Sequence, residues 1–292
     1  MIITHLERTA VCVPFLPGIL PSPEFEEYNK AYPEPIGNRR QDVLKIHTDD
    51  GLVGIGMTLP YYGQAPAPPN DLVGKNPLEF EPRQLGGPGY DIALLDLIGK
   101  AVGWPLCRIF GGRLQNRVLV DFWISRMNPE DSANAAKRAL AQCFHGIKMK
   151  CAAKDGNVVD RTFAVHEAAP ELRIVLDPNE RFDNLETALD LAKQVESLDI
   201  VFEDPFPKTD WQAYRKLKDD ADVIVAPHLQ TPIQVMEAIH HQAVDAINIA
   251  PSDWGFLDMA RIAESAGIPV WQASNVDLGI FDAFRLHAAA AA

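Results

Sequence analysis

Cysteine is scarce in this chain of 292 residues, and long apolar runs are missing. Its four cysteines, Cys12, Cys107, Cys143 and Cys151, show no C-x-x-C spacing, which disfavours a zinc ribbon, a redox motif or a disulfide scaffold. No run approaches the roughly 18 to 20 apolar residues of a membrane span, and the start "MIITHLERTA" is too charged for a secretion signal. We therefore predict a cytoplasmic protein with reduced cysteines in its core.

Positive charge is also in short supply. The chain has 27 Lys and Arg against 40 Asp and Glu, a formal net charge of −13. Nucleic acids and anionic membrane surfaces require clustered Lys and Arg, so neither is an expected partner. A small anionic substrate fits only where cations are concentrated locally.

The residues that are abundant predict the fold. With 47% hydrophobic residues, the chain can bury a large core. From about Arg117, seven short apolar runs alternate with helical segments: "VLVDFWI", "GIKMK", "LRIVLD", "IVFED", "DVIVA", "DAINIA" and "IPVWQA". This alternation favours a modified TIM (β/α) barrel over residues 115–292, with an open doubly wound sheet as the alternative. A closed barrel needs an eighth strand, which this sequence does not show, so the barrel looks incomplete at its C-terminal end.

The first 114 residues follow a different pattern. "DVLKIHTDDGLVGIGMT" alternates around a turn signal and predicts a hairpin, and "YDIALLDLIGKAVG" has helical spacing that ends at Gly103. Two Pro-rich segments, "PFLPGILPSPEFEEYNKAYPEP" and "PYYGQAPAPPND", predict loops that contact a ligand or cover a site. Residues 1–114 are therefore predicted to form an α+β N-terminal capping domain.

One predicted strand, "HGIKMKC", carries two lysines. Residues two apart on a strand point to the same side, so Lys148 and Lys150 are expected to present two ammonium groups to one place. The alternative is an edge strand whose lysines are solvated.

Acidic side chains end the next two strands. Asp177 lies in "VLDPNE" and Glu203 in "VFEDP", 26 positions apart, and His228 follows 25 positions later in "VAPHLQ". Strands of a barrel open at one mouth, so the three side chains are expected to be neighbours. Two carboxylates are the oxygen ligands that Mg²⁺ takes, which predicts a metal site. The alternative is a structural role for each residue: Asp177 could form an Asx-type turn, and Glu203 could cap a helix.

These motifs resemble the enolase superfamily, in its mandelate racemase and muconate lactonising enzyme group. "ALLDLIGKAVGWPLCRIFGG" is similar to its signature helix, and "KMK", "DPNE" and "EDP" are similar to its K-x-K motif and first two metal ligands. The resemblance implies Mg²⁺-dependent abstraction of the proton α to a carboxylate, giving an enediolate that the metal stabilises. Lys150 is then the candidate base, and Lys148 stabilises the developing charge. It also implies a small anionic carboxylate substrate and a homo-oligomer.

The chain departs from the family pattern at three strand ends. His228 stands where the family usually has Glu, Asp or Asn. Because imidazole is a poor Mg²⁺ ligand, Mn²⁺ or another divalent metal is an alternative; His228 could instead contact the substrate, or the site could have degenerated. Ala273 stands in place of the racemase-type histidine, and Ala250 in place of the muconate-type lysine.

Since two opposed bases are missing, the sequence favours a one-base reaction, the dehydration of a sugar acid or a related α-hydroxy acid. Asp253, Asn275 or a water would supply the proton, although Asp253 could equally cap a helix. Asn179 and Asn275 are the candidate substrate-binding residues; Asn179 could instead orient the metal shell or make a turn. The alternatives are a racemase, epimerase or cycloisomerase, and a catalytically silent homologue.

Overall fold

Two kinds of β-sheet organise the chain in the computed structural model, which describes residues 1–14, 18–19, 40–58, 72–81, 89–208, 210–275 and 277–292. The strands are β1 Ile3–Cys12, β2 Arg40–Thr48, β3 Val53–Met57, β4 Asp121–Ile124, β5 Gly146–Lys150, β6 Arg173–Asp177, β7 Ile200–Glu203, β8 Ile224–Ala226, β9 His228–Leu229, β10 Ile247–Ile249 and β11 Val270–Gln272. The helices are α1 Tyr90–Val102, α2 Leu106–Ile109, α3 Pro129–Ala141, α4 Val158–Ala168, α5 Leu185–Gln194, α6 Trp211–Asp220, α7 Pro232–His240, α8 Trp254–Ser265 and α9 Gly279–Ala289.

An antiparallel sheet forms the N-terminal part, in the order β1-β2-β3. The predicted hairpin joins β2 to β3, and Thr48 N donates to Leu52 O at 3.1 Å across the turn. The predicted helix is α1, and it ends at Gly103, whose φ of 68° is left-handed and suits glycine. Helix α1 packs on β3 so closely that only glycine fits at Gly54 and Gly56.

The remaining strands are parallel and follow one another in chain order. One sheet has the order β4-β5-β6-β7-β8 and the other has β9, β10 and β11 side by side. Strands β8 and β9 are two pieces of one barrel strand, separated at Pro227. A doubly wound sheet reverses its strand order at a switch point, and no reversal occurs among these described strands, so the barrel prediction is confirmed. Helices α3 to α9 alternate with the strands.

The barrel core has two layers of contact. Inside, Val175, Val201, Ala226 and Ala246 pack against one another. Outside, the opposite faces of the strands pack on the helices in one large apolar cluster. Strand β7 is therefore buried on both faces, which explains its uninterrupted apolar run before Glu203.

The first barrel strand is shorter than predicted. "VLVDFWI" was expected to be a strand throughout, but β4 begins at Asp121, and Leu119 is 68% exposed. Among the described residues, β4 pairs only with β5, and β11 pairs only with β10. Before β4, Val120 O accepts from His145 N at 3.0 Å, so the chain already runs beside the start of β5 there. The described residues contain no eighth barrel strand.

Some predictions fall outside the described residues. Both Pro-rich segments lie almost wholly in the gaps, so their predicted contact with a ligand stays a prediction. The boundary at residue 114 and the cytoplasmic location also stay predictions. Among the described residues, no helix has the length and apolar character to cross a bilayer.

The contact between β3 and α1 generates a prediction. A methyl group added at Gly54 would lie 2.0 Å from the carbonyl oxygen of Ala93. Gly54→Ala should therefore lower the free energy of unfolding by about 1 to 3 kcal/mol, as measured by urea denaturation. Gly279→Ala is the control, because no atom lies within 4 Å of the added methyl group. Equal losses in the two variants would contradict this packing.

Candidate active site

Four charged side chains meet at the carboxyl ends of β5, β6 and β7. Lys148 and Lys150 lie on β5, Asp177 ends β6 and Glu203 ends β7. The register pairs Lys150 with Asp177, so the two-residue period of parallel strands carries all four side chains to the same side. They line a cavity of about 1740 Å³, together with Asn179 and His228, and this cavity extends from the barrel to residues of β1, α8 and α9.

Lys148 lies between the two carboxylates. Its Nζ is 2.8 Å from Asp177 Oδ2 and 2.5 Å from Glu203 Oε1, and the two acidic side chains are 0% and 1% exposed. Burial by itself lowers the pKa of Lys148, but the charges of Asp177 and Glu203 overcome it and hold that pKa above its ordinary value. Lys148 is therefore a fixed positive charge.

Lys150 shares Asp177 with Lys148. Its Nζ is 2.5 Å from Asp177 Oδ2 and 2.7 Å from Asn179 Oδ1. Burial favours a raised pKa for Asp177, but the ammonium groups of Lys148 and Lys150 outweigh it and hold that pKa below its ordinary value. Asn179 N also donates to Asp177 Oδ1 at 3.0 Å. Asp177 therefore forms the predicted Asx-type turn and contacts both lysines.

Glu203 and His228 each carry a buried atom without a partner. Neither Glu203 Oε2 nor His228 Nε2 has a hydrogen-bond partner among the described residues. Burial raises the pKa of Glu203 although Lys148 lies beside it. Burial, with the positive charge of Lys148, lowers the pKa of His228 to about 4, so its imidazole is neutral at pH 7. Asp204 Oδ1 accepts from His228 N at 2.6 Å and fixes the backbone there.

The donor atoms fit a divalent cation. Buried polar atoms are nearly always paired, so an unpaired carboxylate oxygen and an unpaired imidazole nitrogen that line the same cavity point to a group that binds them. Asp177, Glu203 and His228 would hold such an ion, in the positions that the sequence predicts. In the described residues, no three His, Cys, Asp or Glu side chains are already close enough to enclose a metal. Lys148 Nζ already contacts both Asp177 and Glu203, so an ion bound there would share these carboxylates with its ammonium group. Their roles as ligands stay predictions.

Two other predicted residues lie away from this cluster. Asp253 Oδ1 accepts from Gly255 N at 2.8 Å, so Asp253 is the N-cap of α8, the alternative that the sequence left open. Asp253 is not among the described residues that line the barrel cavity. Asn275 does line the cavity, on an exposed stretch after β11. Roles for Asp253 as the acid and for Asn275 in substrate binding stay predictions.

The described residues that directly follow β10 and β11 are not ionisable. Ala250 follows β10, and Ala273 follows β11, where its N donates to Ile249 O at 2.8 Å. Methyl groups cannot transfer a proton. Asn248, two residues before Ala250, is 1% exposed, and its Oδ1 has no partner among the described residues.

Sequence reasoning missed Asn248 and Arg161. Asn248 is in register with His228, and the two-residue period counted back from Ala250 could have placed it inside the barrel. Arg161 is fully buried and donates to Lys150 O and Ser125 O, both at 2.9 Å, so it ties the ends of two strands together. No local signal marks Arg161, since an arginine on a helix is ordinarily exposed.

Comparisons with known proteins show the family of this chain. A family described as enolase C-terminal domain-like matches residues 131–292. N-succinyl-L-Arg/Lys racemase of Bacillus cereus is 24% identical over 282 residues, which are 85% of this chain and 75% of that protein. Cis-3-hydroxy-L-proline dehydratase of Roseibium aggregatum is 27% identical over 258 residues, 78% of this chain and 70% of that protein. The chain spans between about half and three quarters of the length of the curated relatives it matches.

A solved structure shares the fold. The crystal structure of a dipeptide epimerase from Enterococcus faecalis, complexed with Mg and the dipeptide L-Leu-L-Tyr, matches with a TM-score of 0.78 at 20% identity. The match covers 100% of this chain and 88% of that chain. At this identity the likeness concerns the fold.

Fold and site together define the class, a modified TIM-barrel enzyme with an N-terminal antiparallel sheet. The chain belongs to the enolase superfamily, in the mandelate racemase and muconate lactonising enzyme group. Members of this superfamily use Mg²⁺, and the matched epimerase structure holds Mg. These matches give no support to Mn²⁺.

The shared ammonium group generates a prediction about stability. Lys148→Met would leave Asp177 and Glu203 as adjacent buried carboxylates with one cation fewer. We expect a loss of about 3 kcal/mol in the free energy of unfolding at pH 8, measured by urea denaturation. The loss should shrink at pH 5, because Glu203 can then take up a proton. Lys154→Met, at an exposed lysine four residues beyond Lys150, is the control. A loss that does not change with pH would contradict the bridge.

Proposed function

We propose that the protein removes the proton α to a carboxylate group of a small acid, with Lys150 as the base. The observation that carries this proposal is the placement of Lys148 and Lys150 on one side of β5 against Asp177 and Glu203. A salt-bridge network built for stability alone would not require buried lysines within a cavity of this size.

Each residue has a physical task in the reaction. A proton beside a carboxylate is very weakly acidic, so negative charge that develops on the carboxylate oxygens has to be stabilised. Lys148 supplies a positive charge that stays protonated. Asp177 and Asn179 hold the Lys150 nitrogen in place, and in its neutral form that nitrogen can accept the proton. A Mg²⁺ ion held by Asp177, Glu203 and His228 would supply further stabilisation of the same charge.

Racemisation or epimerisation of an amino-acid derivative is the net reaction that the relatives favour. The Bacillus cereus relative is a racemase of N-succinyl-Arg/Lys, and the matched Enterococcus faecalis structure is a dipeptide epimerase. The proposed substrates are therefore N-acylated amino acids and dipeptides. The sequence favoured dehydration and gave a racemase or epimerase as the alternative. The relatives reverse this order.

Dehydration of a hydroxy acid is the second candidate. Inversion needs a proton donor on the face opposite Lys150, and the barrel positions expected to provide it hold Ala250 and Ala273. A dehydration needs only one strong base, with weak acid assistance to the departing hydroxyl. The relative from Roseibium aggregatum is a dehydratase, which agrees with this candidate.

Isotope exchange tests the proton abstraction itself. Incubation in D₂O with Mg²⁺ and a library of N-acylated amino acids, dipeptides and hydroxy acids should replace the α-proton of at least one acid, as followed by NMR. Lys150→Ala should reduce that exchange by at least about 10²-fold, the range that a general base contributes. Lys154→Ala should leave it unchanged. Absence of exchange for every acid with the unaltered protein would favour a catalytically silent homologue.

Product analysis separates the two net reactions. Chiral chromatography should detect the inverted isomer if the protein is a racemase or epimerase. Semicarbazide should detect a 2-keto product if it is a dehydratase. Exchange that yields a 2-keto acid and no inverted isomer would reject racemisation and leave the proton abstraction standing.

A further inference from the structure

The strands that carry the two predicted carboxylate ligands are followed by turns of the same backbone conformation. Glu180, three residues after Asp177, has a φ of 66°, and Asp204, directly after Glu203, has a φ of 48°. Residues with a Cβ adopt these left-handed angles at an energetic cost, so other contacts have to hold them there. Those contacts therefore lie next to both predicted ligands.

The two turns are bonded to each other. Glu180 N donates to Asp204 O at 2.7 Å. Phe182 N donates to Pro205 O at 3.0 Å. Lys208 adds a bridge between the side chains, because its Nζ is 2.5 Å from Glu180 Oε1 and 3.0 Å from Asp204 Oδ2. Its ammonium group thus joins the turn after β6 to the turn after β7.

Asp204 extends this connection to β9. Its Oδ1 accepts from His228 N at 2.6 Å, while its Oδ2 contacts Lys208. The side chain of Asp204 is 6% exposed and that of Lys208 is 16% exposed, so water screens this ion pair poorly. One network therefore connects β6, β7 and β9, the strands that carry the three predicted ligands.

Lys208 itself does not reach the cavity. Neither Lys208 nor its partners Glu180 and Asp204 are among the described residues that line it. An effect of Lys208 on an ion in the cavity therefore has to pass through the residues that it holds in place. Substitution of residues that orient metal ligands typically costs roughly 10- to 100-fold in metal affinity.

We propose that Lys208 is a positioning residue, which sets the distance between the ends of β6 and β7 and thereby the spacing of Asp177 and Glu203 for a divalent cation. The inference rests on the proposed function, since it takes these two carboxylates as ligands. An ion pair that only stabilised the fold would change the free energy of unfolding and leave ion binding as it is. The experiments below measure this difference.

Titration calorimetry with Mg²⁺ at pH 8 tests the assignment. Lys208→Met removes the bridge and should raise the Kd of Mg²⁺ by about tenfold or more. Lys208→Arg can still bond both acidic side chains, so its Kd should stay within about threefold of that of the unaltered protein. Equal Kd values for Lys208→Met and the unaltered protein, or no Mg²⁺ binding by the unaltered protein, overturn the inference.

Two control variants separate positioning from stability. Gly54→Ala should lose stability in the N-terminal sheet and leave the Kd of Mg²⁺ unchanged. Lys216→Met removes an ion pair with Asp220 between exposed side chains of α6, and it should leave that Kd unchanged too. If the Kd rises equally in Gly54→Ala and Lys208→Met, a general loss of stability explains both effects and the inference is rejected.

Amide hydrogen exchange followed by NMR tests the positioning without any metal. The amides of Glu180 and His228 both have their acceptor on Asp204. In Lys208→Met these two amides should exchange about tenfold faster, whereas amides in the middle of α1 should keep their rates. Unchanged rates at Glu180 and His228 would show that Lys208 does not hold the two turns together.

The proposed function fails separately from this inference. If the unaltered protein exchanges an α-proton in D₂O but Lys208→Met changes neither the Mg²⁺ affinity nor the amide exchange, proton abstraction stands and the positioning is rejected. If no acid exchanges its α-proton while Lys208→Met weakens Mg²⁺ binding, the positioning stands and the catalytic proposal is rejected.

Discussion

The ammonium group of Lys148 between two buried carboxylates is the interaction on which the site depends. Asp177 and Glu203 end neighbouring strands, and without a cation their charges would repel in a medium that screens them poorly. Lys148 lets both stay inside the barrel, and the contact holds the ends of β5, β6 and β7 at one spacing. The proposed chemistry uses the same groups, so stability and function rest on one set of contacts.

The barrel supplies the geometry for this cluster. Parallel strands in register turn alternate residues inward, and helices α3 to α9 cover the outer faces. Arg161 adds a fixed point, because it binds the carbonyl groups of Ser125 and Lys150 from within the helical layer. The strand register thus sets the positions of the two lysines, and the guanidinium group of Arg161 holds the backbone at Lys150.

Several strand ends of this site carry neutral side chains in place of charged ones. His228, Ala250 and Ala273 occupy positions where related enzymes are expected to have acidic or basic side chains. The residues that end β5, β6 and β7 are consequently charged, whereas those that directly follow β10 and β11 are alanines. This asymmetry explains why one base is easier to assign than two.

The sequence by itself determined the fold class and which strand ends carry Lys148, Lys150, Asp177 and Glu203, because strand period and repeat length are local patterns. It also marked the helix N-cap at Asp253 and the Asx-type turn at Asp177, since caps and turns depend on neighbours in the chain. Only the tertiary structure decided that Lys148 bridges the carboxylates, that β4 begins at Asp121, and that Asn248 and Arg161 belong near the site. Those outcomes depend on distances between side chains remote in sequence and on which strands find a partner, and neither is encoded in any short segment.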